Sequence, residues 1–378
     1  MRYLFPLSQY NQQRQFEKPV WVYPVHLAMY ATYLRNNGHE VYWDNHPTKE
    51  VQYIPRHYNA THNQFCGFDR IMSHDHKCRC GEEITEFDRV IENDFKIDIP
   101  FEKLPFPDRE FTDAKNPRWQ SYGNYRKHPA THMMVSNLCW YGKCTFCIDT
   151  AKLQTGEHRG LRSVNHVIAE IDDLIAHGYK EVFDDSGTFP VGQWLEEFCK
   201  KMQSRKKHIM IGCNMKPIKL DYKMMANAGF KFMLVGIESI NQSTIDRIQK
   251  GQRSEDIIPI IKSMADAGLA PHTTWMSNYP FETFEEEKKS IEACNFMLRK
   301  GYAKTAQASV YCPPRTAPLP NSEGHKRIPL YFDAYKHPEF WYNKIKDIRG
   351  FDDISYMARG GKLILEEYWR KYWKPKLG

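Results

Sequence analysis

The sequence predicts an α/β protein: a partial (β/α)6 barrel of the TIM type, preceded by a small N-terminal Rossmann-like α/β domain and followed by a C-terminal helical extension. Three observations predict it. A helix–glycine–strand pattern recurs through the middle of the chain, a proline-rich stretch separates that region from what precedes it, and the first 45 residues read as strand, loop, helix, strand. The expected boundaries are 1–98 for the N-terminal domain, 99–126 for the linker, 127–318 for the barrel and 319–378 for the extension.

In the N-terminal region "RYLFPL" is a short apolar run. "HLAMYATYLRNNG" carries Leu27, Ala31 and Leu34 at helical spacing with Gly38 as the stop, and "HEVYWD" is extended. That is one βαβ unit. "FDRIM" and "FDRVIEND" are candidate short strands in the polar stretch that follows. "IPFEKLPFPDRE", Ile99 to Glu110, reads as an extended linker, because each proline blocks helix and central strand alike.

The barrel is read from repetition. "SVNHVIAEIDDLIAHGYKEVFDD" places Val164, Val167, Ile168, Ile171, Leu174 and Ile175 on one helical face, with Gly178 as a left-handed cap before an apolar strand. The same pattern returns in "DYKMMANAGFKFMLVGIES", "SEDIIPIIKSMADAGLAPHTTWMSN" and "FEEEKKSIEACNFMLRKGYAKTAQASVY". With "HMMVSN" and "HIMIGCN" this makes six strands alternating with helices, which implies a parallel sheet. In such barrels chemistry sits beyond the C-terminal strand ends. Here those ends read "SNLC", "FDDSGT", "GCN", "GIES", "MSN" and "QASVY". The tail, "HPEFWYNKIKDIRGF" and "KLILEEYWRKYWKP", is aromatic and basic and reads as helices packed on the barrel; a partner surface is the alternative.

Composition excludes several classes. Ten cysteines in 378 residues are few for a disulfide scaffold, and the N-terminus turns polar after Pro6 without the apolar core of a secretory signal, so a cytoplasmic protein is expected. No apolar run is long enough for a membrane span. Lys and Arg outnumber Asp and Glu by 53 to 46, but the excess is spread along the chain, which favours a solvated surface over a nucleic-acid partner.

The densest chemical signal is "CWYGKCTFC", with Cys139, Cys144 and Cys147 on the loop after the first barrel strand. Three thiolates on one loop can wrap an iron–sulfur cubane and leave one iron without a protein ligand. A zinc site wants a fourth ligand at matching spacing, and none follows nearby; a redox CxxC does not need the third thiol. A second cluster, "SHDHKCRC", sets His74, His76, Cys78 and Cys80 at every second residue near Cys66. On a straight strand these span about 20 Å, at about 3.3 Å per residue, so only a bent loop would gather them round one ion. Cys199, Cys213, Cys294 and Cys312 read as barrel packing.

"NLCWYGKCTFC" resembles the cluster loop of the radical S-adenosylmethionine (radical SAM) superfamily, with one more residue in the first gap than the usual CxxxCxxC. "FDDSGTF", "LVGIES", "SNYPFET" and "YCPPRTAPL" resemble further motifs of that superfamily in the same order, the last two lacking a glycine each. "YPVHLAMYATYLRNNGHEVYWDN" resembles the opening of the cobalamin-binding domain of one subclass, and "LPFPDRE" its linker, although "DNHPTK" has Lys49 where that domain's D-x-H-x-x-G motif has glycine. The resemblance implies a [4Fe-4S] cluster on Cys139, Cys144 and Cys147. SAM would be contacted by Phe146, Asp185, Gly236, Glu238 and Asn278, with Asn214 and Gln307 at the same mouth facing SAM or substrate.

The implied reaction is reductive cleavage of SAM to a 5′-deoxyadenosyl radical, fed by an electron donor such as flavodoxin or ferredoxin. If cobalamin is bound, methyl transfer to an unactivated carbon follows. The alternatives are cobalamin-independent hydrogen abstraction or rearrangement, and a non-catalytic iron–sulfur or zinc interaction protein. Against the last, a purely structural cluster has no need of "GIES". RNA modification rests on the composition of the tail alone.

Overall fold

A computed structural model describes residues 1–6, 13–15, 18–20, 22–44, 89–91, 97–117, 119–121, 125–311 and 334–372. Outside them lie His74, His76, Cys78, Cys80, Cys66 and Cys312, the candidate strand "FDRIM", most of "DNHPTK" and most of "YCPPRTAPL". The chain forms two compact units, Met1–Gly123 with Lys362–Gly378, and Asn124–Gly361.

The first unit contains the expected βαβ element. Strand β1 (Arg2–Pro6) is followed by a short antiparallel pair, β2 (Gln13–Gln15) and β3 (Lys18–Val20), then helix α1 (Val25–Asn36) and β4 (Glu40–Asp44). A two-residue strand, β5 (Arg89–Val90), completes a parallel sheet of order β4-β1-β5. Helix α1 buries Ala28, Met29, Ala31 and Leu34, and Gly38 at φ 77° turns the chain left-handed after the helix. The proline-rich stretch is more than a spacer. Phe101, Leu104, Ala114 and Trp119 are buried, and the Tyr23 and Thr112 hydroxyls are hydrogen-bonded at 2.5 Å.

The second unit is a six-stranded, wholly parallel sheet whose strands lie side by side in chain order. It runs β6 (Ala130–Met133), β7 (Glu181–Asp184), β8 (Met210–Met215), β9 (Phe230–Glu238), β10 (Ala270–Ser277) and β11 (Thr305–Val310). Helices α2 (Ile148–Gln154) and α3 (Val164–Ala176) link β6 to β7, and α4 (Gln193–Gln203) links β7 to β8. Helix α5 (Tyr222–Asn227) leads to β9, α6 (Gln242–Arg247) and α7 (Ser254–Asp266) to β10, and α8 (Phe284–Arg299) to β11. Helices α9 (Pro338–Lys346) and α10 (Phe351–Tyr372) follow, where the tail predicts helices. The sheet is an open, partial barrel: β6 and β11 are its edges and do not pair with each other.

Two faces of this sheet are told apart by their partners. Phe230 meets Phe198 of α4, so its face lies under the helices. A register shift between Ile211 and Gly212 puts Phe232 on the opposite face, where Phe183 and Phe232 meet at 5.9 Å, His132 meets Phe183 and His272 meets Phe232. This aromatic row crosses β8 at Gly212, where a Cβ would stand 2.8 Å from the Phe183 ring. Side chains alternate along a strand, so Asp185, Asn214 and Gly236 fall on the row's inner face, two or four residues beyond Phe183, Gly212 and Phe232. Gln307 lies beside Thr274 in the register and so shares the face of His272.

The periodicity of α3 holds: Val164, Val167, Ile168, Ile171 and Leu174 are buried, and the Ser163 hydroxyl accepts from His166 N. Cys199, Cys213 and Cys294 are fully buried packing thiols, as expected.

Candidate functional site

The three loop cysteines are free thiols, each half-buried, on the segment between β6 and α2. Asp184 frames the start of this loop. It is fully buried, its Oδ1 accepts from Val135 N at 2.8 Å and from the Ser186 hydroxyl at 2.9 Å, and burial pushes its pKa up to about 7. Ser186 Oγ in turn accepts from Val135 N and Ser136 N. The loop itself is bent by Asp149, whose Oδ2 accepts from Cys139 N at 2.8 Å, and by the Cys147 N to Cys144 O bond at 3.1 Å. Gly187 closes over the same place: a Cβ there would stand 2.1 Å from Asp149 Oδ2 and 3.0 Å from Cys139 Cβ. Only glycine admits this approach.

The loop is tied to the far side of the mouth by residues 248–251, which join α6 to α7. Thr145 N donates to Ile248 O at 3.0 Å, and the Tyr141 hydroxyl donates to Gln249 O at 3.0 Å. The next residue, Lys250, donates from Nζ to Glu238 Oε1 at 3.0 Å and lies 5.7 Å from the centre of the Phe146 ring. Burial alone would depress the Lys250 ammonium, but Glu238 and the neighbouring Cys144 more than reverse this and raise it. Lys216, just beyond β8, is also buried, and its ammonium sits 3.2 Å from the centre of the Tyr141 ring. Burial pushes it down to about 8, against the pull of Cys144.

The remaining expected site residues lie along the strands of the six-stranded sheet or just beyond their C-terminal ends. Asp185 is exposed yet surrounded by protein, as a side chain projecting into a concavity is; that crowding, and the Asp149 carboxylate, push it up to about 7. Asn214 donates from Nδ2 to Ser186 O at 2.7 Å, and its carbonyl accepts from Phe189 N. Gly236 lies under the Glu238–Lys250 pair: a Cβ there would stand 2.6 Å from Glu238 Oε1 and 2.8 Å from Lys250 Nζ. Glu238 and Asn278 both adopt left-handed backbone, at φ 68° and 66°. For Asn278 this answers the missing glycine of "SNYPFET", since asparagine is among the few residues that tolerate that conformation. Gln307 is exposed on the edge strand β11.

Several residues that pattern reading does not single out complete the site. Glu282 accepts at Oε1 from the Ser239 hydroxyl at 2.9 Å, Asn241 Nδ2 at 2.8 Å and the Thr244 hydroxyl at 3.0 Å, so it pins the chain directly after "GIES". Tyr279 is buried with a hydroxyl that has no partner among the described residues, and burial raises its pKa. Lys250 stands 12 residues beyond Glu238 with α6 between them, and nothing local separates it from a surface lysine.

Among the described residues no three His, Cys, Asp or Glu side chains converge on a single metal ion. Burial raises the Cys144 thiol and the charges of Cys147 and Cys139 add to that, while Lys250 and Lys216 favour its thiolate. A cubane, which takes one thiolate per iron at separate corners, fits this arrangement.

A model of the Radical SAM superfamily matches residues 133–294. No curated protein matches the chain. Among solved structures it is similar to the cobalamin-dependent S-adenosylmethionine radical enzyme OxsB with aqua-cobalamin bound, at 17% identity and TM-score 0.42 over 60% of this chain and 32% of that one. It is also similar to the radical S-adenosylmethionine methyltransferase TsrM from Kitasatospora setae with cobalamin and a [4Fe-4S] cluster bound, at 19% identity and TM-score 0.42 over 49% of this chain and 35% of that one. Methylornithine synthase (PylB) matches at 12% identity and TM-score 0.38, over 49% of this chain and 53% of that one. The chain spans about a third of the length of the OxsB and TsrM chains. Residues 133–294, matched by the Radical SAM superfamily model, carry the three loop cysteines and the Glu238–Lys250 pair.

Proposed function

We propose that this chain binds a [4Fe-4S] cluster through Cys139, Cys144 and Cys147 and uses it to cleave SAM reductively. The observation that carries the reading is the shared mouth: the loop after β6 that carries the three free thiols is hydrogen-bonded, through Thr145 N and the Tyr141 hydroxyl, to the 248–251 segment, whose Lys250 is paired with Glu238 at the end of β9. A cluster held by Cys139, Cys144 and Cys147 would supply one electron, received from an external donor, to SAM, so that the sulfonium–C5′ bond would break to methionine and a 5′-deoxyadenosyl radical able to take a hydrogen atom from the substrate.

The chain's part is placement. Phe146 and Gly236 offer an aromatic face and an open backbone for the adenosine, and Glu238 a carboxylate for ribose hydroxyls. Lys250 offers an ammonium to the methionine carboxylate while donating to Glu238 Oε1. Asp185, Asn214, Asn278 and Gln307 line the remaining mouth, toward SAM or substrate. The electron comes from a donor of the flavodoxin or ferredoxin class.

Methyl transfer through cobalamin is the finer reading. Its support is the parallel β4-β1-β5 sheet of the first unit, an arrangement in which ligands lie across the strand ends. Anaerobic reconstitution with iron and sulfide, then incubation with SAM, a reductant and free cobalamin, tests both. An iron–sulfur absorbance with 5′-deoxyadenosine supports SAM cleavage, and a co-purifying corrin spectrum supports the methyltransferase. Absence of the cluster overturns the first, and absence of the corrin the second.

A further inference from the structure

The first gap of the cluster loop is one residue longer than the superfamily's usual spacing, and the structure shows what the added length accommodates. The Trp140 and Tyr141 rings pack edge to face, 5.9 Å apart at 85°, Trp140 donating from Nε1 to Phe189 O at 3.1 Å while Tyr141 reaches across the mouth to Gln249 O. The receiving segment is shaped for it. Gln249 adopts left-handed backbone at φ 52°, and Gly251 does so at φ 58°. A Cβ on Gly251 would stand 1.9 Å from the Tyr141 hydroxyl. On the ring face, the buried Lys216 ammonium sits 3.2 Å from the centroid. Beyond Tyr141, Gly142 turns the loop back at φ 58°, where a Cβ would stand 2.5 Å from Leu153.

We propose that Tyr141 is the positioning residue of this lengthened loop, held between the Gln249 carbonyl and the Lys216 ammonium, and that Lys216 so held is a fixed cation beside the cluster. The inference rests on the radical SAM reading. Tyr141 touches neither iron nor SAM in this account; it fixes where the Cys139–Cys144 gap lies. An ordinary packing tyrosine would stabilise the fold without affecting the properties of the cluster, and that difference can be measured.

The test compares reconstituted wild type with Tyr141→Leu, Tyr141→Phe, Lys216→Met and Lys216→Arg. It follows iron loss to a chelator and the reduced fraction of cluster against a dye of fixed potential. Loss of a desolvated cation–π contact and a hydrogen bond predicts that Tyr141→Leu releases iron roughly tenfold faster, while Tyr141→Phe, which keeps the ring, stays within about threefold of wild type. Removing the cation in Lys216→Met lowers the reduced fraction on the order of tenfold, and Lys216→Arg restores it. If Tyr141→Leu does not fold, Gly251→Ala presses on the same hydroxyl from the other side and predicts the same iron loss, non-additive with Tyr141→Phe. The inference is overturned if Tyr141→Leu, or Gly251→Ala in its place, keeps its iron and Lys216→Met its reduced fraction within twofold of wild type. A wild-type chain that takes up no cluster overturns the functional reading instead, and this inference with it.

Discussion

The two ends of the same six strands are built differently. At the C-terminal end, carboxylates and ammonium groups face a concavity, three non-glycine residues, Glu238, Gln249 and Asn278, hold left-handed backbone, and the loop after β6 is hydrogen-bonded to the segment that joins α6 to α7. At the N-terminal end, Glu181 is buried and accepts from Arg126 N and Lys127 N through one oxygen, at 2.8 and 2.7 Å. The second arrangement satisfies a charge with backbone and presents nothing to a ligand; the first leaves charges available. Strain and unused polar groups at one end of a parallel barrel, set against closed hydrogen bonding at the other, separate chemistry from support.

Cys144→Ala should break the comparison most sharply. It removes a proposed cluster ligand from the open end, so SAM cleavage should fall by far more than the roughly 10- to 100-fold that loss of an outer partner costs, with the melting temperature nearly unchanged. Arg162→Met should do the reverse. The Arg162–Glu170 pair is fully buried at 2.5 Å, so removing the guanidinium leaves Glu170 uncompensated and should cost about 3–5 kcal/mol, read as a lower denaturant midpoint.

Glu238→Ala should weaken SAM binding by roughly 10- to 100-fold, since a charge-assisted hydrogen-bonding group is lost, and calorimetric titration checks it. The smallest effect should come from Glu181→Gln, which keeps an oxygen to accept both backbone N–H groups. Burial pushes the Glu181 pKa up to about 7 from the usual 4.5, so between those values the folded chain holds more protons than the unfolded one. Its contribution to stability is therefore full below about pH 4.5 and declines by up to about 1.4 kcal/mol per pH unit as pH rises toward about 7. The variant should flatten that slope in melting curves.

How much of this was legible in the sequence depends on the kind of interaction. The six strands and the first βαβ unit follow from periodicity and glycine caps such as Gly38 and Gly178, because those signals are local. The loop cysteines were legible because three thiols in nine residues are rare, and "GIES" because it resembles a motif of the radical SAM superfamily. Lys250, Lys216 and Glu282 were not. Each acts on residues that the fold, rather than the chain, brings near, and a lysine or glutamate on a connecting loop carries no local sign of burial. Asn278 lies between these cases: the missing glycine was visible, but that asparagine holds the same left-handed turn is a property of the folded loop.

The central claim is that Cys139, Cys144 and Cys147 serve one SAM-cleaving cluster. It is tested most directly by 5′-deoxyadenosine formation under anaerobic reduction, with iron content measured on the same samples. Wild type should bind a [4Fe-4S] cluster and form 5′-deoxyadenosine, and Cys144→Ala should do neither while remaining folded. A Cys144→Ala chain that assembled the same cluster and cleaved SAM at the wild-type rate would contradict the account.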